Sequence, residues 1–237
     1  MLCAVLLVPA SAGAYRPFVS TDAAVADPNE VEIELGYFNL ERTGGENTIA
    51  TPGVVLNYGI VKRLELVGEF RLDVSPDVEL IDPALSLKGV LREGVLQDRP
   101  GPSVAVEAGV LLPSTVHGER GVGFQAVGIV SGKLAAVTWH VNGGGGLDRG
   151  GRPFGTWGVI GELPLHPKLR LVGEVNGEST QGQRPNNSAL LGVIWQPTAR
   201  NASFDAAVRH GISEAAPDWA FTVGLTFGFS LPNLSRE

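Results

Sequence analysis

Charged side chains recur at even spacings along two stretches of this chain. Glu65, Glu69, Arg71 and Asp73 fall on one set of alternate positions, and Arg170, Glu174 and Glu178 on another. In an extended strand such residues share one face. Two kinds of chemistry suit that arrangement. Carboxylates and guanidinium groups lining a narrow passage filter solutes by charge. The same groups can instead pair across a confined space and hold a closed structure together. The corresponding rows elsewhere carry Glu32, Glu34, Lys88, Arg92, Glu107, Lys133, Glu162, Asp205 and Arg209, which brings the rows to ten acids against six bases. A passage lined this way favours cations or neutral solutes over anions.

The other candidates point to less. His117, His140, His166 and His210 lie too far apart to share a metal by spacing, so no metal site and no cofactor are expected. His140 sits on the charged row with Thr138 and Asn142, where a satisfied hydrogen-bonding role is expected. His210 sits on the opposite row, where a lipid hydrolase could use it with a serine, but no serine stands in register with it. The run Asn142 to Gly146 is not followed by the Lys-Ser/Thr pair of a phosphate loop.

The elements that must carry these residues are strands. In the last one, Trp219, Phe221, Val223, Leu225, Phe227 and Phe229 alternate with Ala220, Thr222, Gly224, Thr226 and Gly228. Twelve such alternating segments follow Asn29, with bounds near 31–41, 48–60, 63–73, 84–92, 103–112, 123–133, 135–147, 154–165, 168–178, 188–196, 202–211 and 219–229. Each is about the 9–11 residues a tilted strand needs to cross a bilayer. None keeps a helical period. The connections after odd strands read as longer and more polar, such as Arg42 to Asn47 and Val74 to Pro83. Those after even strands read as tight, with Glu93 to Pro102 the exception.

A soluble sandwich would bury the large apolar row, whereas a membrane barrel turns it to lipid. The apolar row contains no Asp, Glu, Lys or Arg. Its aromatic residues fall in two belts. Tyr37, Phe70, Trp157 and Trp219 lie toward one rim, and Tyr58, Trp139, Trp195, Phe227 and Phe229 toward the other. Together with the loops, these features predict an all-β protein: a single antiparallel transmembrane β-barrel of about twelve strands.

Composition is consistent with that fold. The 237 residues include 32 Gly, are 43% hydrophobic and 18% charged, and carry a formal net charge of -7. An acidic chain makes a poor nucleic-acid partner. Residues 1–14 read as a signal peptide, with an apolar run from Leu2 to Pro9 and a cleavage site at Ala12-Gly13-Ala14. Cys3 would leave with it. Residues 15–29 are expected as a periplasmic or lumenal segment, residues 30–230 as the barrel, and residues 231–237 as a tail.

Several short blocks carry a family resemblance. Arg16-Pro17-Phe18-Val19, NEVEIELGY from Asn29, YGIVKRLEL from Tyr58, GVLLPST from Gly109 and AAPDWAFTVGLTFGF from Ala215 span most of the chain. They resemble a family of bacterial outer-membrane proteins named for a role in a phenol-degradation meta-pathway, whose members are often labelled transporters. The aromatic ending at Phe229 resembles the signal read by the barrel-assembly machinery, although Ser230 to Glu237 follow it here. The resemblance implies an outer-membrane barrel that passes small hydrophobic or aromatic solutes. It implies no catalytic residues, and its partners are membrane lipid and the assembly machinery. A non-conducting structural or binding barrel and a membrane hydrolase are the alternatives.

Overall fold

The computed structural model describes residues 16–75, 77–114, 120–197 and 202–232, apart from the side chain of Tyr37. The expected signal peptide, the end of the expected tail and the belt position of Tyr37 lie outside the described residues.

Twelve strands close into a barrel. They are β1 (Glu30–Thr43), β2 (Glu46–Val61), β3 (Leu64–Ser75), β4 (Glu79–Arg92), β5 (Ser103–Leu111) and β6 (Gly123–Leu134), then β7 (Val137–Leu147), β8 (Pro153–His166), β9 (Leu169–Thr180), β10 (Asn186–Trp195), β11 (Ala202–Gly211) and β12 (Trp219–Ser230). Each pairs with its neighbours in sequence. The first and last close the ring antiparallel, from Glu30 opposite Ser230 to Arg42 opposite Trp219. Closure leaves no strand edge unpaired, which a barrel in lipid requires.

The residues sort inside out. Leu56, Leu87, Val141, Trp157, Leu191, Trp195, Phe204, Trp219 and Phe221 are all exposed. Glu32, Glu34, Glu65, Lys88, His140, Glu162, Glu174 and Asp205 are all buried. The inner face therefore holds the charges and the outer face the large apolar side chains. That distribution rules out the sandwich with an apolar core.

Strand bounds follow the alternation closely, with one large difference. β4 begins at Glu79, well before the expected start at Ala84. Pro83 does not end the strand, because it occupies a bulge. The register jumps from Glu69 opposite Ala84 to Arg71 opposite Ile81, leaving Asp82 and Pro83 unpaired between them. Pro52 and Pro164 likewise fall at register shifts. A residue with no N–H is tolerated where the ladder is already interrupted.

The longer strands shorten two of the expected outer loops. β1 and β2 are joined by Gly44 and Gly45, both with positive φ, and β4 starts soon after β3 ends at Ser75. The sorting of loops by end of the barrel is therefore weaker than the sequence suggested. It rests on the connections after β5, β7, β9 and β11. The glycine run of β7 packs against its neighbours. A Cβ on Gly144 or Gly146 would run into the carbonyls of Ala126 or Phe124 on β6.

The outward placement of Leu191, which is 64% exposed in the middle of β10, is directly testable. Leu191→Arg should cost about 2–4 kcal/mol of folding free energy in lipid. Gln125→Arg, inside the outer mouth, should cost far less. Urea titrations of the two variants in bilayers should show that order, and equal midpoints would contradict the assignment of faces.

Candidate functional site

The segment Arg16–Asn29 lies inside the barrel and forms a strap around its inner wall. Starting from the strand end, Asn29 N donates to Gly59 O of β2 at 2.8 Å. Ala26 N donates to Glu65 Oε2 of β3 at 2.7 Å, and Ala23 N to Ser131 Oγ of β6 at 3.0 Å. Thr21 N donates to Asn142 Oδ1 of β7 at 3.1 Å, and Asn142 Nδ2 returns a bond to Thr21 O at 2.7 Å. Val19 N and Ser20 N both donate to Glu174 of β9, at 3.1 and 2.7 Å. Arg16 then reaches Asp205 of β11, Thr222 of β12 and, through its backbone N–H, Glu34 of β1. The path visits the wall in strand order and returns to where it began.

The sequence explains why this segment settles there. From Ser20 to Ala26 it contains only small or short side chains, so its backbone can approach the wall. Ala23 packs with Ala105 and Ile129 in a small apolar cluster, against Leu96 and Val127. Two strap side chains, Thr21 and Asp22, meet Lys88, with Nζ 3.2 Å from Thr21 Oγ1 and 3.7 Å from Asp22 Oδ1. Glu65 Oε1 is 3.6 Å from the same ammonium. Lys88 is fully buried. An ammonium buried in that position is costly without such partners.

The long connection between β4 and β5 belongs to this arrangement. Its single 3₁₀ turn, Val95–Gln97, folds against the strap, and Gln97 Nε2 donates to Ala23 O at 3.0 Å. Ser103 Oγ donates to Gln97 Oε1 at 2.7 Å and fixes the amide. The connection that broke the pattern of tight turns is thus a support for the strap. Glu93 ties it to the neighbouring turn, with carboxylate contacts to Arg63 at 2.9 Å and Lys62 at 3.3 Å. Those hydrogen bonds hold the Glu93 carboxyl down at about 2.

A second chain of contacts was not visible from spacing. His140 Nδ1 is 2.8 Å from Ser131 Oγ, and its Nε2 is 3.0 Å from Glu162 Oε1. Arg170 Nη1 donates to Glu162 Oε2 at 2.8 Å. The Glu162 carboxylate can only accept, so Nε2 presents its N–H to it, and in the neutral ring Nδ1 accepts from the Ser131 hydroxyl. The order of hydroxyl, imidazole and carboxylate resembles a nucleophile with its base, but Ser131 is fully buried beneath Ala23. In this arrangement it anchors the strap. His210, the other candidate, packs against Trp219 with ring centroids 4.3 Å apart and the rings tilted, and bonds the carbonyl of Asp218 at 2.7 Å.

Above the strap lies an outer vestibule of about 670 Å³. Arg16, Phe18, Val19, Ser20 and Thr21 contribute to its lining. Glu69, Arg71, Glu107 and Glu178 border it, as do Leu111, Val127 and Phe154. Phe70, assigned to the outer belt by alternation, also borders it, at the register shift between Glu69 and Arg71. Arg71 pairs with Asp73 at 3.2 Å and Glu41 at 3.4 Å.

The expected pore-lining residues thus separate into groups. Glu69, Arg71, Glu107 and Glu178 face the vestibule. Glu65, Lys88, Glu174 and Asp205 hold the strap. Arg209 braces Glu174 at 2.7 Å, and His140, Glu162 and Arg170 brace Ser131. Arg92 is exposed at the end of β4, beside Gly101.

On the outer face, Trp139 covers Gly132, Trp157 covers Gly177, and Trp195 lies 5.7 Å from Phe204. Phe227 and Phe229 stack at 6.5 Å, and Tyr58 Oη donates to Asn29 Oδ1 at 3.4 Å.

No protein-family model and no curated protein matches the chain. Among solved structures, it is similar to an outer membrane channel from Pseudomonas putida F1, with a TM-score of 0.60 and 10% identity over 87% of this chain and 97% of that one. It also matches a loop-deleted form of OmpT, an outer membrane protein of Vibrio cholerae, at 13% identity over 84% of this chain and 97% of that one. That match has a TM-score of 0.43. The first likeness shows a shared fold: a closed barrel of the kind built by an outer-membrane channel.

Two measurements test the strap. Asn142→Ala removes both bonds to Thr21 and should cost about 1–3 kcal/mol. Limited proteolysis of the detergent-folded variant should cut within residues 16–29 faster than in the parent, and unchanged cutting would contradict the clamp. The second is a pH titration. The Glu93 carboxyl is depressed on folding, so its contribution is complete above the ordinary carboxylate value near 4.5 and fades as pH falls toward about 2. Amide protection in residues 93–102, taken relative to the intrinsic exchange rate at each pH, should therefore fall across that window, and Glu93→Gln should abolish the fall.

Proposed function

We propose that this protein is a bacterial outer-membrane channel for small solutes, closed by its own N-terminal strap. The observation that carries this reading is the strap seated in a charged lumen directly beneath an open vestibule. A barrel built only for mechanical stability gains nothing from an unfilled, charged mouth. The exposed apolar residues suit membrane lipid, which is the partner the outer face requires. The chain would reach the outer membrane through the periplasm and be placed there by the assembly machinery.

The vestibule favours a solute that combines a small apolar body with a neutral or positive group. Phe18, Leu111, Val127 and Phe154 offer apolar contact, and Glu69, Glu107 and Glu178 lie beside them. This agrees with the solutes implied by the resemblance to the meta-pathway family. One observation favours a second reading, a barrel that never conducts. At the level of the strap Glu34, Glu65, Lys88, Ser131 and His140 are all buried, so the strap covers much of the wall there. In the channel reading that burial is the closed state, and the strap must shift for a solute to pass.

Planar-bilayer recordings of the purified full-length protein separate the two. A gated channel should show small, infrequent openings. The double variant Asn142→Ala, Glu174→Gln loosens the strap at two adjoining anchors and should raise open probability severalfold. Silence in both proteins would leave the non-conducting barrel as the better reading.

A further inference from the structure

The wall holds the strap mainly by its backbone. Glu34, Glu174, Asn142, Ser131 and Glu65 accept from six of its N–H groups. Asn142 and Gln97 donate to two of its carbonyls, at Thr21 and Ala23. Specific side-chain contacts are few. Arg16 meets Asp205 and Thr222, and Lys88 meets Thr21 and Asp22. Beyond these, the wall senses side chains chiefly by size, because Ala23 has no exposed surface.

Once the strap is withdrawn, these acceptors and donors remain on the wall. A ligand must satisfy them together, or they stay desolvated without partners. A polyamine could serve the carboxylates but has no carbonyl for Asn142 and Gln97. A sugar has no charge for Asp205 and no run of N–H donors at peptide spacing. An extended polypeptide offers both kinds of group in alternation along one line.

We propose that the strap's track is a binding site for an extended oligopeptide, with a cationic residue at the place of Arg16 and a small residue at that of Ala23. The site reads the main chain and tolerates varied side chains elsewhere. This inference rests on the reading that the strap can leave the lumen.

Asp27 and Pro28 are exposed, so the full-length chain can be given a protease site between them, folded intact and then cleaved. The probe is a fluorescein-labelled peptide with the sequence of residues 16–26. Cleaved protein should take up the probe over hours, as read by co-elution and fluorescence anisotropy, and uncleaved protein should not. A competitor with alanine in place of Phe18, Val19 and Ser20 should bind within about 10-fold of the parent peptide, because its backbone and its specific side-chain contacts are unchanged. A peptide N-methylated at Ser20, Thr21 and Ala23 should bind at least about 100-fold more weakly.

Failure of the cleaved protein to take up the probe would overturn the site. So would uptake that is indifferent to N-methylation, or an alanine competitor that does not bind. Bilayer recordings of the same cleaved protein keep the two readings apart. Currents that appear on cleavage and are not blocked by the peptide leave the channel standing and sink the peptide site. Peptide uptake without any current does the reverse.

Discussion

A carboxylate removed from water must find a donor, and this barrel has a ring of them facing inward. Glu34, Glu65, Glu174 and Asp205 would be costly to bury unpaired. The strap resolves that cost with its N–H groups, and with Arg16 at its far end. Lys88 and Arg209 complete the set from the wall itself. Charge on the wall and backbone in the strap therefore depend on each other. Neither the buried acids nor the seated segment makes physical sense alone.

The same dependence gives the strap its character as a gate. Its anchors are polar, and every one of them could be served by water if the strap withdrew. Breaking an apolar core would expose surface with no compensation, whereas exchanging hydrogen bonds with water costs little on balance. The apolar cluster around Ala23 is small and lies at one point of the path. Beneath it the 3₁₀ turn and Gln97 hold the strap from the other side. That end is the firmer one. Toward Val19, which is 67% exposed, the strap borders the open vestibule.

Most of the barrel was legible in the sequence, because alternation at a period of two is a strong signal when one row excludes charge. The bounds of β5, β6, β11 and β12 followed directly from it. Legibility failed where chain chemistry misleads. Pro83 looked like a loop residue and is a bulge within β4, so the loop before it was drawn too long. The strap was harder. Residues 16–29 have no period, since their pairing partners are side chains rather than a neighbouring strand. Their small side chains were the available clue. The link from Ser131 through His140 to Glu162 joins three strands, and no spacing along the chain could reveal it. The excess of acids was readable, and its role was not, because the strap's N–H groups do not appear in a count of charges.

The most direct test fixes the strap in place by a removable bond. A Cβ on Gly158 would lie 3.0 Å from Ser20 Cβ, close to disulfide range after a slight shift. The pair Ser20→Cys and Gly158→Cys, with Cys3 replaced, allows the strap to be locked to β8 by oxidation. Single-channel conductance is then measured in one bilayer before and after reductant. Gating by the strap predicts silence when oxidised and openings when reduced. Equal conductance in the two states would show that solutes pass without the strap moving, and would contradict the gate.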